Sequence, residues 1–190
     1  MKILSQNFFN KNSEILAPGL LGCTLVHKTP EGLTSGIIVE TEAYSQEDAA
    51  SHSYNGETAR TKAMFGSAGH VYIYFTYGMH YCFNVVSGQP GHGQGVLIRA
   101  LQPVEGIEIM QKRRSKDNQK ELCNGPAKLV QAMGITKADY GKPLFDNNEL
   151  FIKSRKQGKL DIQKGSRIGV SKEIEKPLRF WIAGNPYISR

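Results

Sequence analysis

The sequence predicts an α+β protein in which helices pack on one curved, mainly antiparallel sheet that carries a protruding β-hairpin. Two observations lead there. Apolar, β-rich runs follow one another across turn residues, and the few helical stretches stand alone, without the regular βα alternation of a parallel sheet. The 190 residues show neither a composition shift nor an internal repeat, so a single domain spanning 1–190 is expected.

The elements follow in chain order. Ser13 reads as a helix cap for a helix running to residue 21, kept short or irregular by Pro18. Residues 21–27 and 35–42 read as strands joined by a hairpin turn at Thr29-Pro30-Glu31-Gly32. Residues 47–61 are polar, with helical turns at most. The strongest strands are 71–76 and 79–86, interrupted at Tyr77-Gly78. The Gly-rich stretch 87–95 reads as a surface loop and 96–101 as a strand. Pro103 is expected to start a helix ending in Lys112-Arg113-Arg114, and Gly125-Pro126 to precede another over 127–133. Short strands are expected at 150–154, 167–171 and 178–183, with a loop over 153–164.

A formal charge of +7 favours a polyanionic partner through phosphate neutralisation and counterion release, although charge also serves solubility. Cys23, Cys82 and Cys123 are odd in number and far apart, which argues against a disulfide framework or zinc module and for a reducing compartment. The histidines lack metal-ligand spacing, and no metal or cofactor is expected. No apolar run approaches membrane-spanning length and the N-terminus lacks a cleavage pattern, so a cytoplasmic protein without membrane attachment is expected.

Chemistry concentrates in Gly36-Ile37-Ile38-Val39-Glu40-Thr41-Glu42-Ala43-Tyr44, with Ala49-Ala50-Ser51-His52-Ser53 soon after. In an uninterrupted strand Ile38, Glu40, Glu42 and Tyr44 share a face. Taken singly, Glu42 could be a solvated acid and His52 a hydrogen-bonded loop residue. Arg99 ends an apolar strand, where an unpaired cation is costly; a carboxylate partner is expected, and Glu42 is one candidate. Tyr72 and Tyr74 share a strand face, as core aromatics do, whereas Tyr77 beside Gly78 should project from a turn and could wedge between bases. Gly91-His92-Gly93-Gln94-Gly95 is followed by no helix and fails as a phosphate loop. The run Lys112, Arg113, Arg114, Lys116 is either a solvated helix face or a phosphate contact.

These segments together resemble the alkyladenine (3-methyladenine) DNA glycosylase family of monofunctional purine-excising enzymes. The resemblance rests on Val39-Glu40-Thr41-Glu42-Ala43-Tyr44, Ala49-Ala50-Ser51-His52, Met64-Phe65 and Tyr72-Ile73-Tyr74-Phe75-Thr76-Tyr77-Gly78-Met79. It continues through Asn84, Val96-Leu97-Ile98-Arg99-Ala100-Leu101, Leu122-Cys123-Asn124-Gly125-Pro126-Ala127-Lys128-Leu129, Arg167-Ile168-Gly169-Val170 and Lys176-Pro177-Leu178-Arg179-Phe180, nearly the whole chain in order. His80 departs from it, standing where an aromatic is common, and the loop between Tyr44 and His52 is slightly shortened.

The resemblance implies Glu42 as the general base on an attacking water, Arg99 as its partner, and the backbone near Ile168 closing the site. It implies Tyr44, His52 and Tyr74 as walls of a flipped-base pocket, Asn84 as the group that discriminates against guanine, and Tyr77, with Met79, as the intercalating wedge. It further implies double-stranded DNA with damaged purines as partner, monomeric action, and hydrolysis without a Schiff base. The residues alone also admit a non-catalytic nucleic-acid-binding module, or a metal-dependent nuclease using Glu40, Glu42 and Asp48.

Overall fold

The computed structural model describes residues 1–76 and 80–189. Eight antiparallel strands form one curled sheet: β1 (Thr24–Thr29), β2 (Gly32–Tyr44), β3 (Val71–Thr76), β4 (His80–Val86), β5 (Gly95–Glu105), β6 (Leu150–Lys153), β7 (Ile162–Gly165) and β8 (Arg179–Ile182). They run in the order β3-β4-β5-β2-β1-β6, with β8 also on β2 and β7 on β8. Among the described residues four α-helices accompany them: α1 (Gln6–Phe9), α2 (Ser13–Leu20), α3 (Ile107–Arg114) and α4 (Pro126–Met133). The α+β class and the antiparallel sheet are as the sequence predicts. The tip of the expected protruding hairpin, with Tyr77 and Met79, lies outside the described residues.

The long β2 is the axis of the sheet. One edge pairs with β5; along the other, β1 takes Gly32–Ile37 and β8 takes Glu40–Glu42. At the change of partner the β2–β5 register slips between Ile38 and Glu40 and slips back between Glu40 and Thr41. Ile38 and Ala43 are five apart yet both join the main core, which a regular period of two forbids. The expectation that Ile38 shares a face with Glu40, Glu42 and Tyr44 is therefore wrong: the bulge at Val39 sends Ile38 into the core and turns the other three to the opposite face. On β5 the compensating bulge falls at Arg99, so Ile98 and Leu101 both enter the core.

The core lies between one face of the sheet and helices α2 and α4, filled by Leu16 and Leu20 of α2, Leu129 and Met133 of α4, and Phe83 and Ile98 of the sheet. Asn12, rather than Ser13, caps α2, its side chain accepting from the Glu14 N–H at 2.8 Å. Pro126 opens α4 at the first helical position, where its missing N–H costs nothing, and Gly134 at φ 68 closes it.

Three expectations fail for tertiary reasons. Pro103 starts no helix: it continues β5 and pairs with Gly36. Among the described residues β4 covers β5 only at Gly95, Val96 and Leu97, so the edge facing away from β2 asks no N–H of Pro103. The helix starts four residues later, after Gly106 turns the chain at φ 70. Residues 162–165 form an edge strand where a loop is expected, because β8 offers a backbone ladder to a polar segment without apolar alternation. Residues 167–171 form no strand; Gly169 sits at φ 79 and Arg167 turns inward.

The basic run on α3 is neither a free face nor a phosphate contact throughout. Arg113 donates to Glu31 Oε2 at 2.9 Å, Thr29 Oγ1 at 2.8 Å and the Ala132 carbonyl at 3.1 Å, tying the β1–β2 turn to the end of α4. Among the described residues no helix is long and apolar enough to cross a membrane. Arg113→Ala is expected to lower unfolding free energy by about 1–3 kcal/mol in urea melts, with an unchanged m value, because it leaves a half-buried carbonyl and hydroxyl without a donor.

Candidate active site

The face of the sheet turned away from the core forms the floor of a cavity of about 450 Å³. Strand alternation decides which side chains enter it. Val71 and Ile73 go to the core and Tyr72 and Tyr74 to the cavity; Phe83 and Val85 to the core, Cys82 and Asn84 to the cavity; Val96 and Ile98 to the core, Leu97 and Arg99 to the cavity. Loops complete the walls through Ser51 and His52, Met64, and Ile168 to Val170, with Pro126 of α4 at one side.

Glu42 lies one side chain beneath this lining, with 0% exposure. Its Oε1 accepts the Ile168 N–H at 2.8 Å and lies 3.2 Å from Arg99 Nη1; its Oε2 accepts the Tyr44 hydroxyl at 2.8 Å. Those three partners all line the cavity. Burial, and then the Glu42 charge, push the Tyr44 phenol far above its ordinary value, so it stays a donor. Arg99 is shared. Its Nε lies 3.3 Å from Glu40 Oε1, and Nε and Nη2 both reach Ser189 Oγ, at 3.4 and 3.3 Å. Glu40 in turn accepts from Arg179 Nε at 2.6 Å, the Ser189 N–H at 2.6 Å and the Ser189 hydroxyl at 2.8 Å. Two buried carboxylates thus face two guanidinium groups, with the lone pairs of Glu40 taken up by the chain near residue 189.

Tyr44 is held from behind. The Arg167 guanidinium lies 4.7 Å from its ring centroid and is itself pinned by Asp48 through both Nη atoms and by the Ala43 carbonyl at 3.1 Å. Also on the lining, His52 meets the edge of Tyr74 at a centroid distance of 4.4 Å and 88°. Its Nδ1 lies 3.1 Å from the Tyr72 hydroxyl, and Tyr72 and Tyr74 lie 5.8 Å apart. Burial raises the Tyr72 phenol to about 12 and Tyr74 further, whereas partial burial, followed by the charge of Arg60, lowers His52. Asn84 Nδ2 donates to the Tyr72 carbonyl at 3.1 Å, which fixes the amide against the cavity floor.

The structure therefore gathers Glu42, Arg99, Tyr44, His52, Tyr74, Asn84 and Ile168 around one cavity, while Tyr77 and Met79 fall outside the described residues. His80 also reaches the lining. Sequence reasoning missed Glu40 as a partner of Arg99, although the i, i+2 spacing from Glu42 was a signal. It also missed Arg60 and Ser189, for which no local pattern exists. Glu40, Glu42 and Asp48 do not form the trio a nuclease reading needs, since each is engaged by arginine: Glu40 by Arg99 and Arg179, Glu42 by Arg99, Asp48 by Arg167.

A family model described as methylpurine-DNA glycosylase matches residues 7–186. The chain belongs to this family. Relatives bearing the provisional name 3-methyladenine DNA glycosylase come from Carboxydothermus hydrogenoformans (44% identical, 99% of each chain covered), Methanoculleus marisnigri (45%, 96% of each) and Francisella tularensis (46%, 92% of each). This methylpurine-DNA glycosylase family member is thus a monofunctional DNA N-glycosylase, and DNA is the partner its basic charge favours. For such an enzyme a base-sized aromatic cavity over a buried carboxylate is the chemically informative arrangement.

The Arg167–Asp48 pair is almost wholly buried, with side-chain exposures of 0% and 2%. Asp48→Ala strands a buried cation and is expected to destabilise the glycosylase by about 3–5 kcal/mol, read from the denaturation midpoint.

Proposed function

We propose that this glycosylase everts a damaged purine from duplex DNA and hydrolyses its N-glycosidic bond with a water activated by Glu42, leaving an abasic site. The observation that carries the reading is the placement of Glu42: fully buried, directly behind Tyr44, Arg99 and Ile168, at the floor of an aromatic cavity.

A base inside the stack cannot be attacked, so its nucleotide must swing out, which costs a few kcal/mol and costs least for damaged or mismatched bases. Tyr44 on one side and His52 and Tyr74 on the other then hold the extruded ring. Their π faces favour electron-poor purines such as 3-methyladenine, 7-methylguanine, hypoxanthine and ethenoadenine. Asn84, whose Nδ2 donates to the Tyr72 carbonyl, is the group that discriminates against guanine through its exocyclic amine. Tyr77, together with Met79, is the wedge that fills the gap in the duplex; each aromatic–base stack is worth about 1–3 kcal/mol.

Loss of the purine builds oxocarbenium character on the sugar. Glu42 stabilises that charge and takes the proton of the attacking water, while Arg99 keeps the carboxylate oriented. The Ile168 N–H and the Arg99 guanidinium both bear on Glu42 Oε1 in the free protein. Among the described residues no lysine lines the cavity, which supports direct hydrolysis over a Schiff base. The enzyme acts as a monomer in the cytoplasm.

Glu42→Gln is expected to retain binding to duplex containing hypoxanthine or ethenoadenine and to lose excision by about 10²–10⁴-fold in single-turnover base release. Near-normal release by that variant would remove Glu42 from the mechanism. Tyr77→Ala is expected to lower excision from duplex far more than binding to undamaged DNA; equal losses in both assays would refute a wedge.

A further inference from the structure

Arg60 lies in the exposed loop between His52 and the turn at Met64, yet its guanidinium is directed at the cavity wall. Its Nη2 stands 3.5 Å from His52 Nε2, and its Cζ lies 5.7 Å from the centroid of Tyr74. Among the described residues it forms no ion pair, unlike the buried Arg99 and Arg167 and the half-buried Arg179. A guanidinium can only donate, so Nε2 must face it with a lone pair, and the neutral ring then carries its proton on Nδ1, toward the Tyr72 hydroxyl. Among the described residues the titratable groups around His52 are Tyr72 and Tyr74, both held protonated by burial, and its charged neighbour is Arg60. The wall against which an everted base would stack thus carries one uncompensated positive charge.

We propose that Arg60 is a specificity-determining residue: its charge, presented through His52 and Tyr74, disfavours cationic alkylated purines and shifts the enzyme toward neutral lesions. This rests on the purine-excision reading given above. A cation a few ångströms from the stacking site repels an incoming 7-methylpurinium ring, offsetting part of the attraction of the tyrosine faces for such rings, and leaves a neutral ring such as hypoxanthine untouched. Arg60 also holds His52 neutral, since a nearby cation opposes protonation. A phosphate grip, the common task of an exposed arginine on a DNA-binding surface, would instead lower excision of every lesion alike.

The test is single-turnover base release from duplexes with one 7-methylguanine or one hypoxanthine, taken as the ratio of the two rates. Arg60→Gln and Arg60→Met are expected to raise the 7-methylguanine to hypoxanthine ratio about threefold to tenfold, and Arg60→Lys to leave it near wild type. The increase should shrink in high salt, because the wild-type charge is then screened. Proton NMR of the free protein should show the His52 titration moving up in Arg60→Gln and staying low in Arg60→Lys. An unchanged ratio in Arg60→Gln, with both rates intact or both reduced, overturns the proposal, as does an equal change in Arg60→Lys. Release of neither base by the wild-type enzyme would be a separate failure, of the excision reading itself, and this proposal would fall with it.

Discussion

The site depends on one electrostatic constraint: two carboxylates, Glu40 and Glu42, buried at 0% exposure in the central strand, with Arg99 reaching both. Either acid alone in that position would carry a desolvation cost of several kcal/mol. Together with Arg99, Arg179 and the Ser189 N–H and hydroxyl they form a satisfied network, which fixes Arg99 from one side while Glu42 is approached from the other. The consequence is a carboxylate oriented by hydrogen bonds to the backbone of Ile168 and the hydroxyl of Tyr44 rather than by its own rotamer freedom.

The two faces of the sheet divide the work. One packs against α2 and α4 and supplies the burial that holds the protein together; the other leaves alternate residues of β2, β3, β4 and β5 for the cavity. The β-bulges at Val39 and Arg99 make this possible in β2 and β5, because an unbroken alternation would put Ile38 in the cavity or Glu42 in the core. The aromatic wall is then stiffened from outside, by the Arg167–Asp48 pair behind Tyr44 and by Arg60 against His52 and Tyr74. A wall braced in this way needs little ordering before a ligand can enter.

Much of the fold was legible because it follows from local rules. The hairpin about Pro30-Glu31, the paired strands β3 and β4, and α4 opening at Pro126 come from turn chemistry and apolar runs that need no distant partner. What was misread involves distant partners: β7 exists because β8 lies beside it, Pro103 is tolerated because one edge of β5 is free there, and Arg113 is a structural tie because Glu31 and the end of α4 meet it. In the site, Glu42 and Arg99 stood out as chemically expensive choices in apolar strands, while the other expected residues came with the family resemblance. Glu40, Arg60 and Ser189 did not, since an acid beside another acid, a loop arginine and a serine near residue 190 are all ordinary in isolation.

By itself the sequence determined the class of fold, the polyanion-seeking charge and the set of side chains available for chemistry, because period, turn residues and charge are local properties. Only the tertiary structure decided which of those side chains face one another. That choice is made by register, and a slip of one residue at Val39 exchanges the core face for the cavity face. No property of residues 36–44 read alone shows that slip, since it arises where β2 exchanges β1 for β8 along one edge.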